Sequence, residues 1–507
     1  MAESIAALTP KQRKIVLAVV AFTLMMVISA VSGLNVALPS LARDTGASQR
    51  DLQWIVDAYT VVFAGLLLPA GAIGDRFGRK GTLLVGVAIF GLAAGIAFFA
   101  HSPGLLIALR CLMGIGAATV MPTTLSIITT SFPEEERGRA VGVWVGVVGG
   151  GAVIGLIGSG ILLEFFNWSS FFALNVVLAL LGFIGTLAFV PKSVDVHPPY
   201  LDFVGAIFSL VGVSSLVYAI IDGPDRGWSD PLIIGAFAVG VMAIASFIWW
   251  ELHLEEPMLD PRLFKLRGFG TGSLSLTVQF FAAFGFFFTI LQYLQFVAGL
   301  SALKAAVTLL PMPLILVPLA RRAPLFAKKI GLNRLASGGL VLMAIGFLVF
   351  SQLQVKFVYW HFLIGLIFFA AGMALAGTPA TTAIVSSLPE TKQGVASAVN
   401  DTSRELGSAI GIAILGSILN AQYRSGIADS LIHLPVHIAE GARGSIAFVQ
   451  SDVISRLGPT GAHLVNVAKR SFVDGVSTAF IVTAGVLLIA AVYVVLRAPK
   501  RELLEPV

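Results

Sequence analysis

One cysteine in 507 residues, Cys111, leaves the chain with no internal disulfide and no thiolate cluster for a metal. Charge is scarce too: Asp, Glu, Lys and Arg make up 12% of the residues, against about a quarter in an ordinary soluble domain. No Gly-x-x-x-x-Gly-Lys-Ser/Thr run cradles a nucleotide phosphate and no His/Cys spacing suits zinc, so an ATP-driven engine, a metal and a cofactor are all unexpected. No nucleophile with a base and oxyanion donors points to an enzyme.

What the chain has instead is apolar length. Hydrophobic residues make up 57% of it and mean hydropathy is +0.92. A membrane helix needs about 20 apolar residues, whereas barrel strands would read as alternating segments of about 10. Continuous runs predict an all-α polytopic membrane protein with fourteen spans, near 14–36, 52–73, 81–100, 104–128, 140–163, 169–190, 203–222, 231–250, 269–297, 302–320, 335–352, 357–385, 394–420 and 472–496. The first run is too long for a signal-peptide core and is expected to stay as an anchor.

An even count puts both termini on one side of the membrane. Basic residues choose the cytoplasm, since Lys11, Arg13 and Lys14, then Arg76, Arg79 and Lys80, then Arg321, Arg322, Lys328, Lys329 and Arg334 fall in loops on that side. The net charge of +6 is therefore read as topology, and no nucleic-acid partner is expected.

Two stretches echo each other. "FPEEERGRAVGVW" from Phe132 aligns with "LPETKQGVASAVN" from Leu388, pairing Pro133 with Pro389, Glu134 with Glu390 and Gly138 with Gly394; Gly151 and Gly155 fall on Gly407 and Gly411. "GDRFGRKGTLLVG" from Gly74 aligns with "AKKIGLNRLASGG" from Ala327, matching Gly78 to Gly331. Parallel repeats of this kind predict two six-helix bundles with a route between them near the midplane. The expected division is a cytoplasmic N-terminus at 1–13, a bundle at 14–190, two inserted helices with linkers at 191–268, a bundle at 269–496 that includes an extracellular hairpin at 421–470, and a cytoplasmic tail at 497–507.

Polar residues within the apolar runs are the candidate site. "NDTSRELG" from Asn400 places Asp401 and Glu405 four apart on one helix face, with Arg404 three from Asp401. Two acids and one cation cannot all be neutralised in pairs, the situation a proton carrier needs; a static Asp401–Arg404 pair is the alternative. Arg110, deep in the fourth segment, carries a charge costing at least about 2.5–3.5 kcal/mol on insertion scales unless it is paired or hydrated. Asp57 is the nearest acid by depth and its expected partner. Asn35, Gln279, Gln292, Gln295 and Asn400 are candidates for lining the route, although membrane glutamines also bond to neighbouring helices. His361 beside Trp360 reads as an interfacial anchor, and the run "FFAAFGFFF" from Phe280 either packs in the core or binds flat hydrophobic compounds. In the loop after the second segment, Gly74 and Gly78 permit a tight turn, Asp75 can accept hydrogen bonds from a helix start, and Arg76, Arg79 and Lys80 hold the turn in the cytoplasm.

"GAIGDRFGRKGTLL", "QWIVDAYTVVFAGLLLPAGAIGDRFGRK", "RCLMGIGAATVMPTTLSII" and "PMLDPRLFKLRGF" together resemble the major facilitator superfamily, and within it the fourteen-helix drug:proton antiporters that include quaternary-ammonium exporters. The resemblance runs nearly end to end. It implies that the Gly74–Lys80 turn is a conformational latch, that Arg110 and an acid at Asp401 serve proton-coupled switching, and that Gly151, Gly155, Gly158 and Gly160 form the antiporter-like motif of the fifth helix. Close helix packing is the plainer account of those glycines.

Two positions depart from the family pattern: Ala30 stands where the first helix usually carries an acid, and Leu156 where a proline usually follows Gly155. The resemblance implies a plasma-membrane exporter of small hydrophobic or amphipathic compounds, working with protons as a monomer in the bilayer. A lipid or amphiphile flippase or facilitator without coupling, an importer of an anionic compound, and a non-transporting scaffold or sensor remain open alternatives.

Overall fold

Helices make up most of the described chain. The computed structural model describes residues 8–194, 201–255, 257–389 and 393–499, and no strand occurs among them. Glu390 of the echo, the termini at 1–7 and 500–507, and linker residues 195–200 and 256 lie outside the described residues. The long helices are α1 (Pro10–Thr45), α2 (Gln49–Phe77), α3 (Arg79–Phe98), α4 (Pro103–Ser131), α5 (Glu134–Phe165), α6 (Ser170–Phe189), α7 (Phe203–Arg226), α8 (Pro231–His253) and α9 (Arg267–Gln292). After α9 come the short α10 (Ala302–Thr308), then α11 (Pro311–Ile330), α12 (Leu332–Phe350), α13 (Tyr359–Ser386) and α14 (Gln393–Ile427). Three short helices, α15 (Val436–Gly444), α16 (Ile446–Val449) and α17 (Asp452–Ser455), precede the last, α18 (Pro459–Arg497).

Thirteen spans among the described residues are long and apolar enough to cross a membrane. In α5 the described apolar stretch is Gly150–Phe165, but the helix runs for 32 residues, a rise of about 48 Å.

Local chemistry sets the boundaries. Ser102 caps α4 through a 3.3 Å bond to the Leu105 amide, with Pro103 in the first turn. The span expected at 302–320 falls within one apolar stretch, Ala302–Ile330, in which a turn at 309–310 precedes Pro311, a residue with no N–H to continue the ladder from α10. Arg321, Arg322, Lys328 and Lys329, expected in a loop, lie in the continuation of α11. The segment at 421–470, expected as an extracellular loop or hairpin, is largely helical. α14 runs on to Ile427 and α18 starts at Pro459, so the residues between form a 3-10 turn and the three short helices. That segment is anchored by Tyr423 Oη, which donates to the Ala442 carbonyl at 2.9 Å, and by Gln450 Nε2, which donates to the Phe296 carbonyl at 2.6 Å.

The chain forms two compact units. One holds the described residues of Met1–Leu41, Trp54–Ser214 and Gly240–Met258; the other holds Ala42–Gln53, Ser215–Val239 and those of Leu259–Val507. In the second unit Phe286 centres an aromatic core, with ring centroids 4.8 Å from Phe369 and 4.9 Å from Phe350.

The two echoes recur as matching geometry. Gly78 joins α2 to α3 at φ +113°, and Gly331 joins α11 to α12 at φ +91°, a region that penalises side chains. A Cβ on Gly33 in α1 would stand 2.9 Å from the Gly155 carbonyl in α5, and one on Gly285 in α9 would stand 3.0 Å from the Gly411 carbonyl in α14. Each unit thus closes one helix pair through facing glycines. Gly331→Val is expected to cost about 1–3 kcal/mol of stability, whereas Gly338→Ala, in a helix with open space around it, is neutral or stabilising; thermal unfolding in detergent measures both.

Candidate functional site

A continuous α14 carries the acidic cluster. Its helical spacing puts Asp401 and Glu405 one turn apart on one face. Asp401 is 8% exposed; the Asn400 amide donates to its Oδ1 at 3.4 Å, and Thr381 Oγ1 on α13 donates to Asn400 Oδ1 at 3.1 Å. Arg404 does not form the static pair with Asp401. Its guanidinium lies 5.3 Å over the Phe280 ring of α9, and its buried Nε has no hydrogen-bond partner. No ion pair joins Asp401, Arg404 and Glu405 among the described residues. Two acids therefore share one turn of a buried helix without a cation in contact.

Arg110 departs from expectation. It is fully buried, yet it makes no ion pair with Asp57. Its Nε donates to the Ile55 carbonyl at 2.9 Å, and its guanidinium stands 4.1 Å over the Tyr59 ring. The reason is azimuth rather than depth. Ile55 and Tyr59 are four apart on the face of α2 that meets α4, where a Cβ on Gly114 would lie 2.7 Å from the Tyr59 carbonyl; Asp57, two residues from each, points to the opposite side. There Thr60 Oγ1 donates to Asp57 Oδ1 at 3.2 Å, while Oδ2 is buried without a hydrogen-bond partner.

The turn motif is a local knot within the first unit. Asp75 Oδ1 accepts 2.8 Å bonds from Arg79 Nε and from Ser126 Oγ on α4, rather than from a helix-start amide, and Arg79 Nε is also 2.8 Å from Ser126 Oγ. The Arg79 amide donates to the Ser193 carbonyl at 3.0 Å. Lys80 Nζ donates to the Leu187 carbonyl near the end of α6 at 2.8 Å, a favourable place for a cation. Arg76 is exposed. Gly74 is pressed against α4, where a Cβ would sit 3.0 Å from Thr123 Oγ1.

The α5 glycines differ among themselves. Gly151 and Gly155 face α1, where a side chain at 155 would collide with Ser29 and Ser32; Gly158 has open space, and Gly160 is buried. The candidate route amides turn their donors back onto their own helices. Asn35 Nδ2 donates to the Val31 carbonyl at 3.1 Å, Gln279 Nε2 to Ser275 O and Oγ at 3.0 Å, and Gln292 Nε2 to the Phe288 carbonyl at 2.9 Å. Asn35 Oδ1 and Gln292 Oε1 remain buried without donors, and Gln295 is buried. His361 bonds to the Val349 carbonyl at 2.8 Å, and Trp360 is exposed. The phenylalanine run divides: Phe286 joins the core, while Phe280 and Phe284 stack at 6.0 Å on the Arg404 side.

Tyr59, Ser126 and Thr381 carry no charge and give no signal in the sequence, and Phe280, expected as core packing or a binder of flat compounds, instead faces Arg404. Tyr59→Leu removes the face beneath Arg110 and is expected to cost about 2 kcal/mol or more, because a desolvated cation–ring contact is lost along with packing. Tyr59→Phe keeps the ring, gives up the 3.3 Å bond to the Val27 carbonyl and is expected to cost about 1 kcal/mol. Equal losses in thermal unfolding would show that the ring does not hold Arg110.

A family model described as the Major Facilitator Superfamily matches residues 20–412. The chain is 32% identical over 489 residues to the multidrug efflux pump LfrA of Mycolicibacterium smegmatis, covering 96% of each protein. It is 34% identical over 466 residues to the methyl viologen resistance protein SmvA of Salmonella typhimurium, covering 90% of this chain and 93% of that one. Among solved structures, a bacterial homologue of the human lysosomal transporter Spinster, inward-facing and unoccupied, superposes with a TM-score of 0.64 over 97% of this chain and 98% of the other at 17% identity, a likeness of fold. With the family match covering most of the helical chain and two full-length relatives above 30% identity, this multi-pass membrane protein belongs to the major facilitator superfamily.

Proposed function

We propose that the protein exports hydrophobic or amphipathic compounds across the plasma membrane by proton antiport. The observation that carries this reading is the pair of acids one turn apart on α14, Asp401 and Glu405, neither in contact with a cation, in a chain similar over nearly its whole length to a multidrug efflux pump. A carboxylate held in a low-dielectric wall without a cation is neutralised by taking up a proton, and release of that proton restores the charge. Each proton entering down the potential supplies about 2.3 kcal/mol per 100 mV. Asp57, whose Oδ2 has no hydrogen-bond partner, is a third carrier on α2. Arg110 acts by holding α2 to α4 rather than by pairing with it. Fourteen spans with both termini in the cytoplasm, a monomeric state and a latch role for the Gly74–Lys80 turn complete the proposal.

Cargo is expected to be neutral, monocationic or amphipathic. A puromycin resistance protein of Streptomyces alboniger, 32% identical over 400 residues, supports this range, whereas the methyl viologen resistance protein is named for a dication and extends it. A second reading, facilitated movement without proton coupling, is favoured by Ala30, which is fully buried at the position where the resemblance to the drug:proton antiporters implies an acid.

Reconstitution decides between them. Liposomes carrying the wild type, Asp401→Asn or Glu405→Gln, with an imposed pH gradient, are followed for lumenal pH and for export of a lipophilic cationic dye. The wild type is expected to export dye only with a gradient and to dissipate the gradient as it does so, and each variant to fall to the level seen without one. Equal dye movement with and without the gradient would overturn antiport and leave the facilitator.

A further inference from the structure

The inserted helices α7 and α8 have no counterpart in the internal echo, and the export reading gives them no task. Yet the last turn of α7 holds two acids, and both are bound to other helices. Asp222, fully buried, is gripped at two points by Arg50 at the start of α2, Nε to Oδ1 at 2.8 Å and Nη2 to Oδ2 at 2.6 Å. Asp225 receives Arg424 Nη1 at 2.6 Å and Asn420 Nδ2 at 3.1 Å, both from α14. Ser417 of α14 also donates to the Ile220 carbonyl. α2 and α14 are joined directly as well: Gln53 Nε2 donates to the Ala413 carbonyl at 3.2 Å, and any side chain at Gly416 would collide with that amide. All these contacts lie within the second compact unit, near the α1–α2 and α7–α8 turns.

We propose that these ion pairs are the clamp that holds the exit side of the transport route shut, with α7 as the bracket to which α2 and α14 are bound. The proposal rests on the export reading. Arg50, Asp222, Asp225, Asn420 and Arg424 are positioning residues in it and touch no cargo. A two-point guanidinium–carboxylate contact tolerates little displacement, so it has two states, engaged and apart. Apolar packing would hold the helices at least as firmly, because desolvation offsets much of the attraction in a buried pair. An ion pair differs in that its partners are rehydrated once they part. The side chains of Arg50, Arg424 and Asp225 are already 36%, 26% and 22% exposed, so water reaches them at the first opening. An insertion carrying both acids thereby gains a role that a plain spacer would not have.

Pulsed electron resonance on full-length protein in lipid nanodiscs tests the clamp without any cargo. Spin labels at Asp44→Cys and Ser229→Cys, both exposed, in a Cys111→Ala background report the separation of the α1–α2 and α7–α8 turns. Asp222→Asn and Arg50→Gln are each expected to raise the ratio of separated to closed populations by about tenfold or more. The double variant is expected to be no more open than either single one, because both remove the same contact. Asn420→Ala, a mild change that keeps every charge, is expected to shift the ratio the same way by less. Unchanged separations in Asp222→Asn and Asn420→Ala, or full addition in the double variant, would overturn the clamp. Failure of the wild type to move dye in liposomes would instead refute the export reading, and unchanged dye export by Asp222→Asn in an exporting wild-type background would again refute the clamp.

Discussion

A charge inside hydrocarbon must be solvated by something other than water, and the architecture is arranged around the few charges that enter. Arg110 shows the requirement at its plainest: fully buried, it meets a backbone carbonyl through Nε and an aromatic face rather than a counter-ion, and its Nη1 and Nη2 have no hydrogen-bond partner. Arg404 uses the Phe280 face in the same way. The contacts of Asp75 with Arg79 and of Asp222 with Arg50 join helices, while Arg226 meets Asp222 within α7. Solvating Arg110 and Arg404 on rings releases Asp57, Asp401 and Glu405 from ion pairing, and those released acids are the ones the antiport proposal employs.

Close backbone approach is the second constraint, and it follows from the first. Helices that carry polar groups inward must pack tightly enough to exclude lipid, and in the absence of a hydrophobic force between membrane helices small residues do this. Facing glycines at 33 and 155 in one unit, and at 285 and 411 in the other, achieve it at corresponding places. The α1–α5 contact is made by Gly151 and Gly155 themselves, so Leu156 in place of a proline leaves that contact intact; what it removes is a kink.

The all-helical membrane architecture, the echo and the tight turns were legible in the sequence because each rests on a local property: apolar run length, glycine spacing and a positive φ that only glycine accepts freely. The site was legible by membership and not by partnership. Asp57 matched Arg110 in depth, but depth ignores rotation about the helix axis, and Ile55 and Tyr59 occupy the face that Asp57 does not. The turn before Pro311 was readable from the missing donor alone. The folding of the 428–458 stretch into short helices was not, because its anchors are side-chain contacts to distant carbonyls at Ala442 and Phe296. The acids of α7 were visible in "IIDGPDR", but nothing local distinguishes a loop-end charge from one bound to α2 and α14.

Helix α1 shows how the loss of a single charge narrows the proposed chemistry. Ala30 is fully buried, and its methyl group puts no ionisable group at that position of α1. Five residues on, Asn35 commits its amide nitrogen to the Val31 carbonyl and leaves its oxygen buried without a donor. Gln292 of α9 repeats the arrangement, with its nitrogen on Phe288 and its oxygen unpartnered. An oriented amide oxygen is a partial negative charge that cannot be titrated, strong enough to orient a hydrogen-bond donor and too weak to hold a dication against its own hydration. Discrimination among cargoes would then lie with neutral dipoles and aromatic faces, which bind many amphiphiles moderately, while the titratable work is concentrated on α2 and α14. On the antiport proposal the two duties are separate, so what is carried would vary without altering how a proton is exchanged for it.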